Sequence, residues 1–166
     1  MTINDAMRED SRKLTIEHIE QVGTYMAVIS DALLERASVH DESKLHAPEI
    51  DLFAEWGPKL KNMEYGSDEY KEALQHMGVA LKHHYENNRH HPEFFKAPGI
   101  NGMNLIDLIE MVCDWKAASL RMKDGGDIGK SLEVNKKRFH LDSQLFNIIV
   151  NTMEFFEEKE KEKEND

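Results

Sequence analysis

The chain has 166 residues, of which 32 are acidic and 21 are basic, giving a formal net charge of −11. This charge argues against binding of nucleic-acid backbone and against an anionic membrane surface, because both are negatively charged. A small phosphorylated substrate remains compatible, since a bound metal ion supplies positive charge locally. A single cysteine excludes an intramolecular disulfide framework and predicts a reducing, cytoplasmic setting. No apolar stretch approaches the roughly 18 residues of a membrane span, and no secretory signal is expected.

The first third of the chain has a helical hydrophobic period. Apolar residues at spacings of three and four predict an amphipathic helix over residues 13–36. A polar elbow follows over residues 38–46. Pro48 is suited to the first turn of a short helix, which we expect to end before Gly57 and Pro58.

The rest of the chain continues this helical pattern. Four further helices are predicted in chain order, at 67–85, 104–122 and 131–139, and from about 142 to beyond 156. Ser67 is the predicted N-cap of the first of these. Residues 157–166 are almost entirely charged, and we expect a solvated, frayed tail there. The sequence thus predicts an all-α bundle of five to seven helices, forming a single domain over residues 1–156.

The histidines are the most informative feature of the chain. Seven of the nine lie within the 52 residues from His40 to His91. They include a His40-Asp41 doublet and two adjacent pairs, at positions 83–84 and 90–91. Imidazole and carboxylate are ligands for first-row transition metals. The set therefore predicts a metal site with hydrolytic chemistry.

Helix phase chooses within the first histidine pair. Neighbours on a helix point about 100° apart, so they cannot both face one site. His84 lies in the middle of an apolar face and is predicted to point inward, whereas His83 is expected to be exposed or to support a ligand. For the second pair no choice is made, because Pro92 biases His91 away from helix. Either His90 or His91 could reach the metal.

Three carboxylates form one stripe on the predicted 104–122 helix, namely Asp107, Glu110 and Asp114. This helix is apolar almost all round, which is typical of a buried helix. A buried carboxylate must be paired or bound to a metal, and this favours Asp114 as a ligand. Asp107 and Glu110 are predicted to orient ligand imidazoles or to pair with basic side chains. His18, at the margin of the first helix's apolar face, completes the candidate set.

The order of these residues resembles the HD-domain superfamily of metal-dependent phosphohydrolases: His18, His40-Asp41, His84, His90 or His91, and Asp114. Members with two metal ions carry two further histidines between the doublet and the final Asp. A lysine three residues after the Asp of the doublet, here Lys44 after Asp41, resembles the family's phosphate-contacting lysine. The stretches HDESKL, HHYENNRHHPEFF and LIDLIEMVCDWKAAS look like an uncharacterised family of small HD-like proteins of phages and bacteria. The resemblance covers most of residues 14–122.

The resemblance implies one or two divalent ions (Mn, Fe, Co, Ni or Zn) held by His18, His40, Asp41, His84, His90 or His91, and Asp114. Asp41 is the natural bridging ligand and, with Lys44, an expected catalytic residue. The expected reaction is hydrolysis of a small nucleotide or related phosphoester by a metal-activated water. Lys44 would contact the phosphate. Arg89, beside the second histidine pair, is a further candidate for the phosphate, its alternative being a solvated turn residue. Lys116 is a weaker candidate for this role, its alternative being an ion pair with a carboxylate.

Three alternatives stay open at this point. The same ligand set suits a di-iron oxygenase of the HD type. It also suits a non-catalytic helical protein that binds a metal. The apolar C-terminal helix is expected to pack within the chain, and the alternative is a homodimer contact.

Overall fold

A computed structural model describes residues 4–121 and 127–164 of the chain. Within these ranges all regular structure is helical, with seven α-helices and three short 3₁₀ helices, and the all-α prediction is confirmed. The chain divides into two compact units, residues 1–39 and residues 40–166. The single domain over residues 1–156 stays a prediction.

The first unit consists of one long helix, α1 (Asp5–Val39). The helix starts earlier than the apolar pattern predicts, because its first turn is stabilised by polar contacts. The Asn4 side chain accepts a hydrogen bond from the backbone N–H of Met7 at 2.9 Å, and Arg8 pairs with Asp5. None of the described helices combines the length and the apolar character needed to cross a membrane.

The second unit contains six α-helices and the three 3₁₀ helices. The α-helices are α2 (Glu49–Leu60), α3 (Asp68–His76), α4 (Gly78–Asn87), α5 (Leu105–Leu120), α6 (Ile128–Phe139) and α7 (Ser143–Glu164). The 3₁₀ helices are Glu42–Leu45, Pro92–Phe95 and Gly99–Gly102. Met122, the predicted last residue of the 104–122 helix, lies outside the described residues.

Helix α2 continues through Pro58, where the sequence pattern predicts its end. A proline inside a helix lacks the N–H that would bond to the preceding turn. Here the apolar face formed by Phe53, Trp56 and Leu60 remains partly buried on both sides of the proline. Packing of this face extends the helix, which ends two residues after Pro58.

The predicted helix over residues 67–85 is divided into α3 and α4. Its start is confirmed, since the Ser67 hydroxyl accepts a hydrogen bond from the backbone N–H of Tyr70. The break is at Met77, whose ψ of 7° leaves the helical region, and Gly78 begins α4. The buried face continues across the break, so His84 is buried whereas the His83 side chain is 40% exposed. This confirms the inward direction predicted for His84.

The hydrophobic core of the second unit lies among α5, α6 and α7. Its buried members are Met111, Val112, Leu132, Leu141, Ile149 and Met153. Helix α7 therefore contributes directly to this core. The same helix continues to Glu164, which differs from the frayed tail expected over residues 157–166. An ion pair between Lys159 and Glu162 stabilises this last part of the helix.

Two adjacent isoleucines of α7 provide a matched test of this packing. Ile149 is buried in the core, whereas Ile148 is 62% exposed. We expect Ile149→Ala to lower the free energy of unfolding by about 2–5 kcal/mol, because it leaves a cavity in a packed core. Ile148→Ala should change it by less than about 0.5 kcal/mol. Urea denaturation followed by circular dichroism measures both, and equal effects of the two would contradict the core assignment.

Candidate metal centre

The His40-Asp41 doublet lies at a sharp backbone turn. Asp41 has a φ of 58°, in the left-handed region that aspartate adopts more readily than most residues. Its carbonyl oxygen accepts a hydrogen bond from the backbone N–H of Lys44 at 2.9 Å, which starts the 3₁₀ helix over residues 42–45. At this turn the Asp41 carboxylate reaches His84 on α4.

A first cluster of ligand atoms consists of Asp41, His84, His90 and His91. One ligand atom from each residue lies within 4.8 Å of the others. His84 Nε2 is 2.9 Å from His91 Nε2 and 3.2 Å from Asp41 Oδ1, and His90 Nε2 is 3.5 Å from the same oxygen. The structure therefore brings together both histidines of the 90–91 pair, between which the sequence does not choose.

These separations fit a common ion. Two ligands that each lie about 2.1 Å from one ion are about 3.0 Å apart at right angles and about 3.4 Å apart at a tetrahedral angle. Asp41 Oδ1 and His90 Nε2 are both buried and have no hydrogen-bond partner among the described residues. Buried polar atoms are nearly always paired, so two orphaned ligand atoms facing each other fit a cation between them.

A second cluster consists of His40, Asp41 and Asp114. His40 Nε2 lies 3.5 Å from Asp41 Oδ2 and 3.6 Å from Asp114 Oδ1. Asp41 thus takes part in both clusters, with one oxygen facing each. Lys44 also reaches this cluster, because its Nζ donates a hydrogen bond to Asp41 Oδ2 at 2.6 Å.

Glu49, at the start of α2, contacts two imidazoles, one of which, His84, belongs to the first cluster. Its side chain is fully buried, and its two oxygens accept hydrogen bonds from His83 Nδ1 at 2.7 Å and His84 Nδ1 at 2.9 Å. A proton on Nδ1 of His84 satisfies this contact with Glu49, and it leaves the lone pair of Nε2 facing Asp41 and His91. Carboxylates that orient metal-binding imidazoles in this way are common around metal ions. The Asn88 and Ser43 side chains close the same pocket around His84.

Glu110, on α5, makes an equivalent contact with two other imidazoles. Its Oε1 lies 2.9 Å from His40 Nδ1 and 3.1 Å from His90 Nδ1. These contacts direct Nε2 of His40 into the second cluster and Nε2 of His90 into the first. Of the two partners predicted for Glu110, imidazoles or basic side chains, these contacts are with imidazoles, and the role of those rings as ligands stays a prediction.

The electrostatics of the two clusters differ. Burial, together with the neighbouring His90 and His84 rings, lowers the pKa of His91 to about 2, so its imidazole is neutral and can donate a lone pair. The Asp114 and Glu110 carboxylates raise the pKa of His40 to about 10. Burial alone would raise the pKa of Asp41, but the Lys44 ammonium, which donates a hydrogen bond to its carboxylate, and the adjacent His40 ring lower it well below its ordinary value.

Arg89 was predicted to bind the substrate's phosphate, and the structure pairs it with Asp107. Its Nε and Nη2 donate to the two oxygens of the fully buried Asp107 carboxylate, at 3.1 and 3.0 Å. The guanidinium also lies over the Phe95 ring, 4.9 Å from its centroid. Asp107 in turn accepts a hydrogen bond from the Asn104 backbone N–H in the capping box of α5. A structural role for Arg89 is thus present, and its contact with substrate stays a prediction.

A substitution at Arg89 measures this structural role. We expect Arg89→Met to lower the free energy of unfolding by about 1–3 kcal/mol, because buried Asp107 loses a charged hydrogen-bond donor. Arg12→Met, which breaks an exposed pair with Glu9 on α1, should have a smaller effect, under about 1 kcal/mol. Equal changes in chemical denaturation would mean that the Arg89–Asp107 pair does not stabilise the fold.

The remaining candidate residues of the sequence analysis belong to neither cluster. Lys116 pairs with Glu160 of α7 at 3.0 Å, which was its alternative reading. His18 is an exposed residue of α1 in the first unit, and its ligand role stays a prediction. His76 is exposed and stacks on the Trp56 ring. Glu49 was missed by sequence reasoning, because an acidic residue in the first turn of a helix is usually an exposed one that complements the helix dipole.

Comparison with known proteins identifies a family whose activity is unknown. No curated protein and no solved structure matches the chain. A model of a family of unknown function, DUF5662, matches residues 7–159, which include the whole of both clusters. The chain therefore belongs to the DUF5662 family.

Proposed function

We propose that this protein is a metal-dependent phosphohydrolase that acts on a small nucleotide or a related phosphoester. The observation that carries the proposal is the Asp41 carboxylate, which faces the Nε2 atoms of His84 and His90 with its buried Oδ1 left without a hydrogen bond among the described residues. The order of these residues resembles that of HD-domain phosphohydrolases. The ligand chemistry, imidazole and carboxylate without thiolate, suits Mn, Fe, Co, Ni or Zn.

In this proposal buried carboxylates of the chain orient the imidazoles that hold the metal ion. When bound, a divalent ion would act as a Lewis acid and would lower the pKa of its bound water towards neutrality. Glu49 and Glu110 keep Nε2 of His84 and His90 directed at the ion, and both rings are almost fully buried. The Lys44 ammonium, 2.6 Å from Asp41 Oδ2, offsets negative charge that develops on the phosphoryl oxygens. Arg89 is a second candidate for the substrate's phosphate.

The proposed setting follows from composition. The single cysteine suits a reducing compartment, and we place the reaction in the cytoplasm. The proposed substrate is small and phosphorylated. Neither nucleic acid nor a membrane is a partner in this proposal, because both are negatively charged and the chain carries a net charge of −11.

A substrate screen with metal analysis tests the proposal. Protein purified without chelators would be analysed for bound metals and assayed, with Mn, Co, Ni and Zn added, against nucleoside mono-, di- and triphosphates and cyclic nucleotides. We expect release of phosphate or opening of a cyclic phosphodiester, and loss of that activity in Asp41→Asn. Bound iron with turnover that requires O₂ would instead establish a di-iron oxygenase. Metal binding without turnover of any kind would favour a non-catalytic metal protein.

A further inference from the structure

The two oxygens of the Asp41 carboxylate have unequal surroundings. Oδ1 faces His84 Nε2 at 3.2 Å and His90 Nε2 at 3.5 Å, and it accepts no hydrogen bond from a described residue. Oδ2 faces the second cluster and accepts a hydrogen bond from the Lys44 ammonium at 2.6 Å. One oxygen thus already has a cation beside it, and the other does not.

The Lys44 ammonium is held in place by its local structure. Lys44 follows Asp41 by three residues in the 3₁₀ turn, and its backbone N–H donates to the Asp41 carbonyl oxygen at 2.9 Å. Its Nζ also lies over the Phe53 ring, 4.9 Å from the centroid, and 28% of its side chain is exposed. The ion pair and the aromatic contact hold the ammonium at this carboxylate, and the backbone hydrogen bond holds the turn from which the side chain extends.

A divalent ion in the second cluster would compete with this charge. The cluster's atoms surround Asp41 Oδ2, with His40 Nε2 3.5 Å away. An ion bound there would lie about 2.1 Å from Oδ2, next to the ammonium. Two like charges this close repel strongly in a partly buried site. Lys44 would therefore have to leave Asp41 before an ion could bind.

The first cluster has no such competitor among the described residues. It offers three imidazole nitrogens and one carboxylate oxygen, a four-ligand set that suits tetrahedral transition-metal binding. We propose that the centre takes one divalent transition-metal ion, in the first cluster, and that the Lys44 ammonium occupies the position of a second ion at Asp41 Oδ2. This inference rests on the metal binding that the proposed function requires, and it states how many ions each chain binds. A substrate phosphoryl group would then lie between one ion and one ammonium.

Metal counting on purified variants tests the inference without measuring activity. The full chain would be loaded with Zn²⁺ or Co²⁺, passed through a desalting column and analysed for metal per chain. We expect one ion in the wild type and two in Lys44→Met, because the second cluster is then free of the ammonium. Lys44→Arg, which keeps the positive charge, should stay at one. Lys44→Met combined with Asp114→Asn should return to one, since the second cluster loses a ligand.

The outcomes separate this inference from the proposed function. Two ions in the wild type, or one ion in Lys44→Met, would overturn the role of Lys44 while leaving metal-dependent hydrolysis standing. No tightly bound ion in the wild type would overturn both. Circular dichroism would verify the fold of each variant, and Lys44→Gln serves as a polar replacement if Lys44→Met does not fold. A wild-type count of one would also exclude a di-iron centre, which needs two ions.

Discussion

Asp41→Asn is expected to reduce metal affinity by more than about 100-fold, because loss of carboxylates that merely orient ligands already costs about 10–100-fold. The substitution keeps the shape of the side chain and removes its charge. The three imidazoles of the first cluster then lose the one negative ligand that faces them. Calorimetric titration of the metal-stripped protein with Zn²⁺ or Co²⁺ measures the change, and any hydrolytic activity should fall with it.

Glu42→Gln is the matched control for this experiment. Glu42 is the next residue along the chain and carries the same charge, but its side chain is exposed and belongs to neither cluster. We expect its metal affinity to stay within a factor of about two of the wild type, since exposed charges are well screened. Similar losses in Glu42→Gln and Asp41→Asn would show that general electrostatics, and not ligation by Asp41, governs the site.

Glu49→Ala is expected to lower metal affinity by about 10–100-fold, although Glu49 itself contacts no ion in our proposal. Its carboxylate fixes the proton of His84 on Nδ1, and without it the ring is free to rotate or to change tautomer. We also expect the free energy of unfolding to fall by about 1–3 kcal/mol, because the N–H group of the buried His84 ring loses its acceptor. Metal titration and urea denaturation measure the two effects separately.

Two variants distinguish orientation from simple loss of stability. Glu49→Gln keeps one acceptor oxygen but presents its amide N–H groups to the second imidazole. Its metal affinity should therefore lie between those of the wild type and Glu49→Ala. Asp51→Asn removes an exposed charge from the same turn of α2 and should leave both quantities unchanged. If Glu49→Ala were destabilised with metal affinity intact, Glu49 would be a structural residue and not a positioning residue for the site.

Local sequence patterns predicted most of the helices, with errors where packing intervened. The Ser67 N-cap was predictable because its side chain acts on a backbone N–H three residues away. The helix was not expected to continue through Pro58, since the proline weakens it locally and only packing of the partly buried apolar face of α2 compensates. The break at Met77 was also missed, because the buried face of α3 and α4 keeps one period across it.

The apolar face of each predicted helix indicated which of its site residues are buried. His84 could be chosen over His83 because the apolar residues of one helix define its inner face. The stripe containing Glu110 could be read in the same way. No such phase exists in the turn that holds His90 and His91, where backbone direction depends on contacts with other elements. Glu49 gave no signal, since its two imidazole partners lie 34 and 35 positions away in sequence.

The sequence by itself determined the helical class, the helix faces and the residue types available for a metal, because these depend on local periodicity and side-chain chemistry. Only the tertiary structure decided which ligand atoms converge, that Glu49 and Glu110 direct the imidazoles, and that Arg89 pairs with Asp107. It also decided that Lys44 takes one oxygen of Asp41 and leaves the other to the histidines. These contacts join residues that only packing of the helices brings within hydrogen-bonding distance, or depend on side-chain directions that spacing does not fix.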